Sequence, residues 1–385
     1  MTRRIMPPPS EVRCGSGANS GPVVNAAFER AVIGALLGTA VGDAIALPFE
    51  GLPRRRVSRF WRDGPLTHHF LLGRGACSDD TEHTCMVAQA LLAAGPCDDA
   101  EAFVARFRHS FAWRLRFWLL GLPAGIGMAT LRSILKLWLT PLRAGSGVYS
   151  AGNGPAMRSA IIGVCLAQQP DLMRRVVAAS TGLTHSDPRA EHGALAIAMA
   201  AAMASRGYEG ALGQVFASTF EAAVGTAGSG LCALIRQASE SAARREPSEQ
   251  FAAAIGCERG VTGFVMHSVP VALHVWFRHE YDYRSAIETV VRCGGDTDTV
   301  AAIVGGIIGA AVGKEGLPAD WLHGLCEWPR SPAWIEQLGL RLVSRFADGQ
   351  LTAPLPLNVA LLFLRNVIFM GLVLGHGLRR LLPPY

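Results

Sequence analysis

The chain has 385 residues, half of them hydrophobic and only 17% charged, with a net charge of +6. That length and apolarity allow a large buried core. The arginines are scattered apart from Arg54-Arg55-Arg56, and no basic stripe is interleaved with aromatics, which excludes a general nucleic-acid-binding surface. Nine cysteines, an odd number with no Cys-x-x-Cys spacing, suggest neither a disulfide framework nor a zinc site. A reducing cytoplasm is the expected compartment.

Residues 1–24 are rich in Pro, Gly and Ser, lack an apolar signal core, and read as a disordered lead-in. From Ala26 to Ala46 the sequence predicts an apolar helix. Gly34, Gly38 and Gly42 recur on one of its faces, a spacing that lets another helix approach closely. Membrane helices use the same spacing, but Asp43 and a polar flank favour a soluble core helix. Residues 51–77 read as a loop. Helices are expected over about 81–94, 98–118 and 128–141, with a break at 123–127, and a glycine-rich loop follows at 146–155. Further helices are expected over 156–168, 171–181, 187–205, 210–223, 227–243, 248–256, 259–276, 282–292 and 299–313. Strict period-two alternation is scarce, so strands should be rare or missing. The reading is one all-α domain over 25–350.

The remaining residues, 351–385, form an apolar C-terminal helical extension. Its core, Leu357–Leu382, carries Asn358, Arg365, His376 and Arg380 within about 60° of one another on a helical wheel. Three uses compete for this narrow polar stripe. The helix could dock on the body or on a second copy, or it could lie at a membrane interface with Arg379-Arg380 at its end. A membrane span would place Arg365 and Asn366 near its costly centre. The chain is thus expected to be cytoplasmic, with at most a weak peripheral membrane or homodimer contact through this helix.

Two acidic clusters stand out: Ser78-Asp79-Asp80-Thr81 and Gly294-Gly295-Asp296-Thr297-Asp298-Thr299. Each precedes a run of small apolar residues that reads as a helix. Taken singly, each aspartate reads as a helix cap. Caps need one side-chain oxygen, however, and here each helix start holds two carboxylates plus hydroxyls. If the fold joins the clusters, hard oxygen ligands converge in a way that suits Mg²⁺ or Mn²⁺. Three other segments carry chemistry: Gly42-Asp43-Ala44 through Pro48-Phe49-Glu50, Gly152-Asn153-Gly154 through Met157-Arg158, and Thr184-His185-Ser186-Asp187-Pro188.

In this order, the five segments resemble the motifs of the ADP-ribosylglycohydrolase family, over about residues 27–345. The most specific match is Gly294-Gly295-Asp296-Thr297-Asp298-Thr299-Val300-Ala301. The resemblance implies a compact orthogonal all-α bundle with two Mg²⁺ or Mn²⁺ ions held by Ser78, Asp79, Asp80, Asp296, Asp298 and Thr299. Asp43 would support the ligands. Glu50 would be the mobile acid gating the distal ribose, and Glu50, Asp79 and Asp296 are the catalytic candidates. Gly152, Asn153, Gly154, Met157 and His185 are the substrate-binding candidates, with phosphates expected at helix N-termini and at Arg158 or nearby arginines. The activity implied is metal-dependent cleavage of the glycosidic bond between ADP-ribose and a protein side chain. Alternatives are hydrolysis of free ADP-ribosyl metabolites such as O-acetyl-ADP-ribose, and a non-catalytic binding or structural role. The linked amino acid stays open: the family's arginine- and serine-linkage members tend towards an acidic or an aromatic residue near the Gly-Asn-Gly loop. This chain has Ser150 and Ala151 there, beside Tyr149.

Overall fold

The computed structural model describes residues 22–62, 64–139, 145–207 and 210–379. Most of the expected disordered lead-in lies outside these residues, but the first helix begins at Pro22, ahead of the expected start. Among the described residues there are helices and six isolated β-bridges, with no strand longer than a bridge. The fold class is all-α, as the scarcity of period-two alternation predicts.

Two helices form the centre. Pro22–Ala46 is buried from Ala31 onward, and Thr297–Val312 is apolar on nearly every side and almost wholly buried. A helix that is apolar all round belongs inside a bundle. The two run antiparallel in direct backbone contact. A Cβ at Gly34, Gly38 or Gly42 would fall 2.1, 2.2 or 2.3 Å from the carbonyl oxygens of Gly309, Gly305 and Ala301. The four-residue spacing thus marks a crossing with backbone against backbone over three successive turns. Its length and apolarity would also let Asn25–Phe49 cross a membrane, but its most apolar 18-residue stretch is entirely buried in protein.

Around this pair the predicted helices appear with three informative differences. The expected loop at 51–77 contains a helix, Arg54–Phe60, which starts after Pro53 and buries Val57. The expected 156–168 helix is two short ones, Gly154–Met157 and Ala160–Cys165. The helix expected from 259 begins at Val265. Residues 260–264 instead run between two loops: Val261 bridges to Gly295, and Phe264 bridges to Gly152. Gly260 permits this with φ +147° and backbone packed within 3 Å of where a Cβ would stand. Among the described residues no cysteine is in a disulfide.

The C-terminal helix, Val359–Arg379, lies against the body through its polar stripe. Arg365, Asn366 and Phe369 are its buried residues. Arg365 Nη2 donates to Glu327 Oε2 at 2.6 Å and to the Cys77 carbonyl at 2.6 Å. Asn366 donates to the Gly121 carbonyl at 2.8 Å, and His376 Nε2 lies 2.7 Å from the Phe70 carbonyl. Asn358 caps the helix, accepting from the Leu361 N–H. Arg380, the last residue of the predicted stripe, lies outside the described residues.

Four stability outcomes follow from this packing. Gly38→Ala should cost about 3 kcal/mol, because neither backbone at the crossing can yield. Gly371→Ala, on the open face of the C-terminal helix with no atom within 4 Å, should stabilise by about 0.5–1 kcal/mol. Arg365→Ala should cost about 3–5 kcal/mol by leaving Glu327 buried and unpaired, and Arg365→Met with Glu327→Met should recover much of it. Urea denaturation midpoints measure all four.

Candidate active site

One end of the bundle gathers the loops that carry the five motifs, and backbone hydrogen bonds join four of them in series. Gly51 N–H donates to the Gly295 carbonyl at 2.7 Å, and Gly295 N–H returns the bond to Leu52 at 2.8 Å. Asp296 N–H donates to Val261 at 2.8 Å, and Asn153 N–H donates to Gly263 at 2.9 Å. Val148 N–H donates to Thr184 at 3.1 Å, closing the series beside His185. Gly294 and Gly295, at φ +67° and +84°, make this possible. A Cβ at Gly295 would sit 1.9 Å from the Val261 carbonyl oxygen.

The two acidic clusters meet. Asp80 Oδ2 accepts from Ser78 Oγ at 2.9 Å and from Thr299 Oγ1 at 3.2 Å, so one carboxylate links the starts of two helices more than two hundred residues apart. Ser78 caps its helix by accepting from Asp80 N–H. Asp43 lies fully buried beneath, accepting from the Ser78 and Thr81 backbone N–H groups and from the Thr81 hydroxyl. Burial raises its carboxyl to about 7 even against those bonds. Asp79 and Asp296 are half-buried and Glu50 is exposed, whereas Ser78, Asp80, Asp298 and Thr299 lie deeper.

These carboxyls are out of balance. Burial raises Asp79, with Asp43, Glu82 and Glu50 adding repulsion. Burial also raises Asp80, with Asp79, Asp43 and Asp296 behind it, and Asp298, with Glu50, Asp80 and Asp296 behind it. Burial raises Asp296 as well, although Asn153 Nδ2 donates to its Oδ2 at 2.6 Å.

The Gly-Asn-Gly loop packs against His185. A Cβ at Gly152 would stand 2.9 Å from His185 Nε2, and one at Gly154 would stand 3.3 Å from its Cε1. Burial, with Arg158 nearby, pushes His185 down to about 3, so the ring is neutral. Met157 is buried behind the same loop. Arg158 is not available to a phosphate. It is fully buried and bonds to Ser180 Oγ, Thr184 Oγ1 and His83 Nδ1 at 3.1, 2.8 and 3.1 Å.

Three features here were not read from the sequence. Gly263 lies 3.5–3.6 Å, measured from its Cβ position, from the carboxylate of Asp296 and the side-chain oxygen of Asn153. Gly125, in the 121–127 loop, lies 4.0 Å from Asp79 Oδ1 on the same measure. Below the first cluster, Glu82 takes Arg330 at 2.6 Å and the Trp118 indole, while Cys77 N–H donates to Glu327. Arg330 and Arg365 hold Glu82 below its ordinary range although burial opposes them. The Pro123–Gly127 break and the acid at position 82 were the available signals.

The donor chemistry fits a hard divalent cation. Among the described residues, Asp80 Oδ1 and Asp298 Oδ1 are buried without a hydrogen-bond partner, and no arginine pairs with either as Arg330 pairs with Glu82. Among the described residues, no three His, Cys, Asp or Glu side chains close around one point. Mg²⁺ commonly takes only one or two carboxylates and keeps several waters, so hydroxyls and water can complete such a set.

The raised carboxyls bind protons in the folded state that the unfolded chain has already released. Their stabilising contribution is therefore full below the unfolded value and is lost as pH rises through the folded values. In chelator, stability should fall as pH rises from the ordinary carboxyl value, about 4, through the raised folded values, of which that of Asp43 is about 7, and Asp298→Asn should flatten that fall. Adding Mg²⁺ or Mn²⁺ should raise the wild-type Tm most at the higher pH and leave Asp298→Asn nearly unmoved. Thermal scans across pH measure both.

Residues 24–351 match the ADP-ribosylglycohydrolase family. The ADP-ribosyl-[dinitrogen reductase] glycohydrolase of Rhodospirillum rubrum is 25% identical over 318 residues, covering 80% of this chain and 92% of that protein. The ADP-ribosylarginine hydrolase Tri1 of Pseudomonas putida is 27% identical over 299 residues, covering 75% and 72%. Among solved structures, a chain of an ADP-ribosylglycohydrolase-related protein complex shares the fold, with a TM-score of 0.57 and 24% identity over 83% of this chain and 99% of that one. With its two acidic clusters joined at one end of an all-α bundle, the chain belongs to the ADP-ribosylglycohydrolase family, glycosidase-type hydrolases of ADP-ribose linkages.

Proposed function

We propose that this chain removes ADP-ribose from a protein side chain, using divalent cations held by Ser78, Asp79, Asp80, Asp296, Asp298 and Thr299. The observation that carries this reading is the meeting of the two acidic clusters at Asp80 Oδ2, with the outer oxygens of Asp80 and Asp298 unpartnered. The activities for which the Rhodospirillum and Pseudomonas relatives are named support it. Bound Mg²⁺ or Mn²⁺ would supply Lewis-acid hold on the hydroxyls of the distal ribose.

The chain's own residues then do the following. Glycosidic cleavage develops positive charge at the anomeric carbon, and the ring of carboxylates stabilises it electrostatically. Asp79 and Asp296 stand half-buried at the mouth, where a carboxylate can take a proton from attacking water. Asn153 Nδ2 fixes Asp296 by donating to its Oδ2 at 2.6 Å. Glu50, exposed at the end of the first helix and near enough to raise Asp79 and Asp298, positions or protonates the leaving group. Gly152 and Gly154 present a side-chain-free wall backed by neutral His185, where a flat ligand can approach the backbone.

The test is release of ADP-ribose from arginine-linked and serine-linked protein substrates, with Mg²⁺, with Mn²⁺ and with chelator. Metal-dependent release from one substrate assigns the linkage. Asp296→Asn should lose at least about 100-fold in kcat, in the range of losing a general base. Full activity of Asp296→Asn in chelator sinks the scheme. Turnover confined to O-acetyl-ADP-ribose moves the substrate to free metabolites.

A further inference from the structure

The C-terminal helix turns its polar side inward and its apolar side outward. Only 17% of its most apolar stretch is buried. Leu364, Val367, Leu374 and Leu378 follow the three- and four-residue spacing of one helical face and are 51, 48, 60 and 66% exposed. Water-facing helices of globular proteins carry the opposite arrangement.

The apolar surface continues at both ends of the helix. Asn366 is bonded to Gly121, where the Ala100–Leu120 helix ends in exposed Phe117, Leu120 and Leu122. Phe117 meets the part-exposed Trp138 of the next helix edge to face, and Trp113 stacks on Phe117. At the other end, His376 and Phe369 stack with Phe70 at the base of a turn whose tip, Leu72, is 96% exposed. A band of this kind on a soluble monomer marks an interaction site.

Charge selects the occupant. No Asp or Glu occurs between Ala102 and Pro170, or anywhere after Asp348, while Arg132, Lys136 and Arg379 are exposed within those stretches. Both segments that build the apolar band are therefore free of acid and flanked by cations. Pairing with a second copy about a two-fold axis would set these cations against themselves, with no carboxylate from either segment to receive them. Tryptophans at the edge of an apolar surface with lysine and arginine around it match the interface of an anionic bilayer.

We propose that the face formed by the C-terminal helix and the ends of the Ala100–Leu120 and Met128–Leu139 helices docks on an anionic membrane surface, with the C-terminal helix lying in the interface plane. Its polar stripe stays on the protein and its apolar stripe enters the lipid.

Full-length protein should co-sediment with vesicles containing phosphatidylglycerol and far less with pure phosphatidylcholine, and added salt should weaken binding. Leu364→Glu with Val367→Glu should lower vesicle affinity at least about tenfold while the thermal midpoint and hydrolase activity in solution stay at wild-type levels. Phe117→Glu, on the neighbouring helix, should reduce binding independently. Four outcomes overturn the proposal: no vesicle binding, equal binding to neutral vesicles, retention through an alkaline carbonate wash (a membrane span), or a concentration-dependent dimer in sedimentation that the double variant abolishes. None of these readouts depends on ADP-ribose release, so failure here leaves the hydrolase reading standing.

Discussion

The register of two glycine-faced helices governs the site. Gly34, Gly38 and Gly42 meet Gly309, Gly305 and Ala301 backbone to backbone, and the next step of the same antiparallel ladder is Thr297 Oγ1 donating to the Ala46 carbonyl at 3.1 Å. The end of one helix, carrying Asp43 and leading to Glu50, therefore lies beside the start of the other, carrying Asp296 and Asp298. A slip of one turn would move these groups apart by about 5.4 Å, more than a shared cation could span. Interlocking backbones hold this register more firmly than interdigitating leucines would, because a carbonyl cannot change rotamer to accommodate a shift.

The molecule treats its buried acids in two ways. Glu82 and Glu327 are neutralised by Arg330 and Arg365 at 2.6 Å each. Asp43 is held by N–H groups and a hydroxyl. Asp79, Asp80, Asp296 and Asp298 have hydroxyls, one amide and each other. Arg158 is near enough to feel Asp79, yet its donors go to Ser180, Thr184 and His83. Arginine is thus available to this region and is spent on the scaffold directly below the four aspartates. Burial raises their proton affinity, with mutual repulsion adding to it at Asp79, Asp80 and Asp298, and a divalent cation would relieve that repulsion where a proton otherwise must. The neutralised pairs also clamp the Cys77 peptide on both sides, through Glu327 and Arg365. The residue preceding Ser78 is accordingly fixed before any ligand arrives.

Much of this was legible because it is local. The glycine spacing at 34, 38 and 42 predicts close approach without a partner being known. Paired carboxylates at two helix starts predict hard-ligand chemistry, although not that Thr299 would reach Asp80. What escaped depends on distant partners. Residues 260–264 look helical by composition, yet their backbone is taken up by Gly294, Gly295 and the Gly-Asn-Gly loop. Arg54–Phe60 looks like loop because Gly, Pro and Arg surround it, and only burial of Val57 gives it a reason to coil. Arg158, next to a glycine-rich loop, suggests a phosphate ligand until Ser180 and Thr184 are seen to consume it. No periodicity reports which of two nearby polar groups an arginine will choose.

The C-terminal helix, outside the residues matched to the family, has two opposite demands on its two sides. Docking through Arg365 and Asn366 requires charges and carbonyls beneath, which Glu327, Cys77 and Gly121 provide. With its few polar groups committed inward, the remaining surface can only be apolar, and it is far more apolar than solubility needs. A helix required solely as a support for the first acidic cluster would carry lysine and glutamate outside at no cost to that contact. Leucine, valine and phenylalanine stand there instead, next to exposed aromatics on two helices whose one acid, Glu101, lies at the far end of the first. The support function thus explains the inner face and leaves the outer face to be explained by what it meets. The loop at 121–127 ties the two together: Gly121 receives Asn366, and Gly125 stands beside Asp79, so whatever covers the outer face sits one short loop from the mouth of the acidic site.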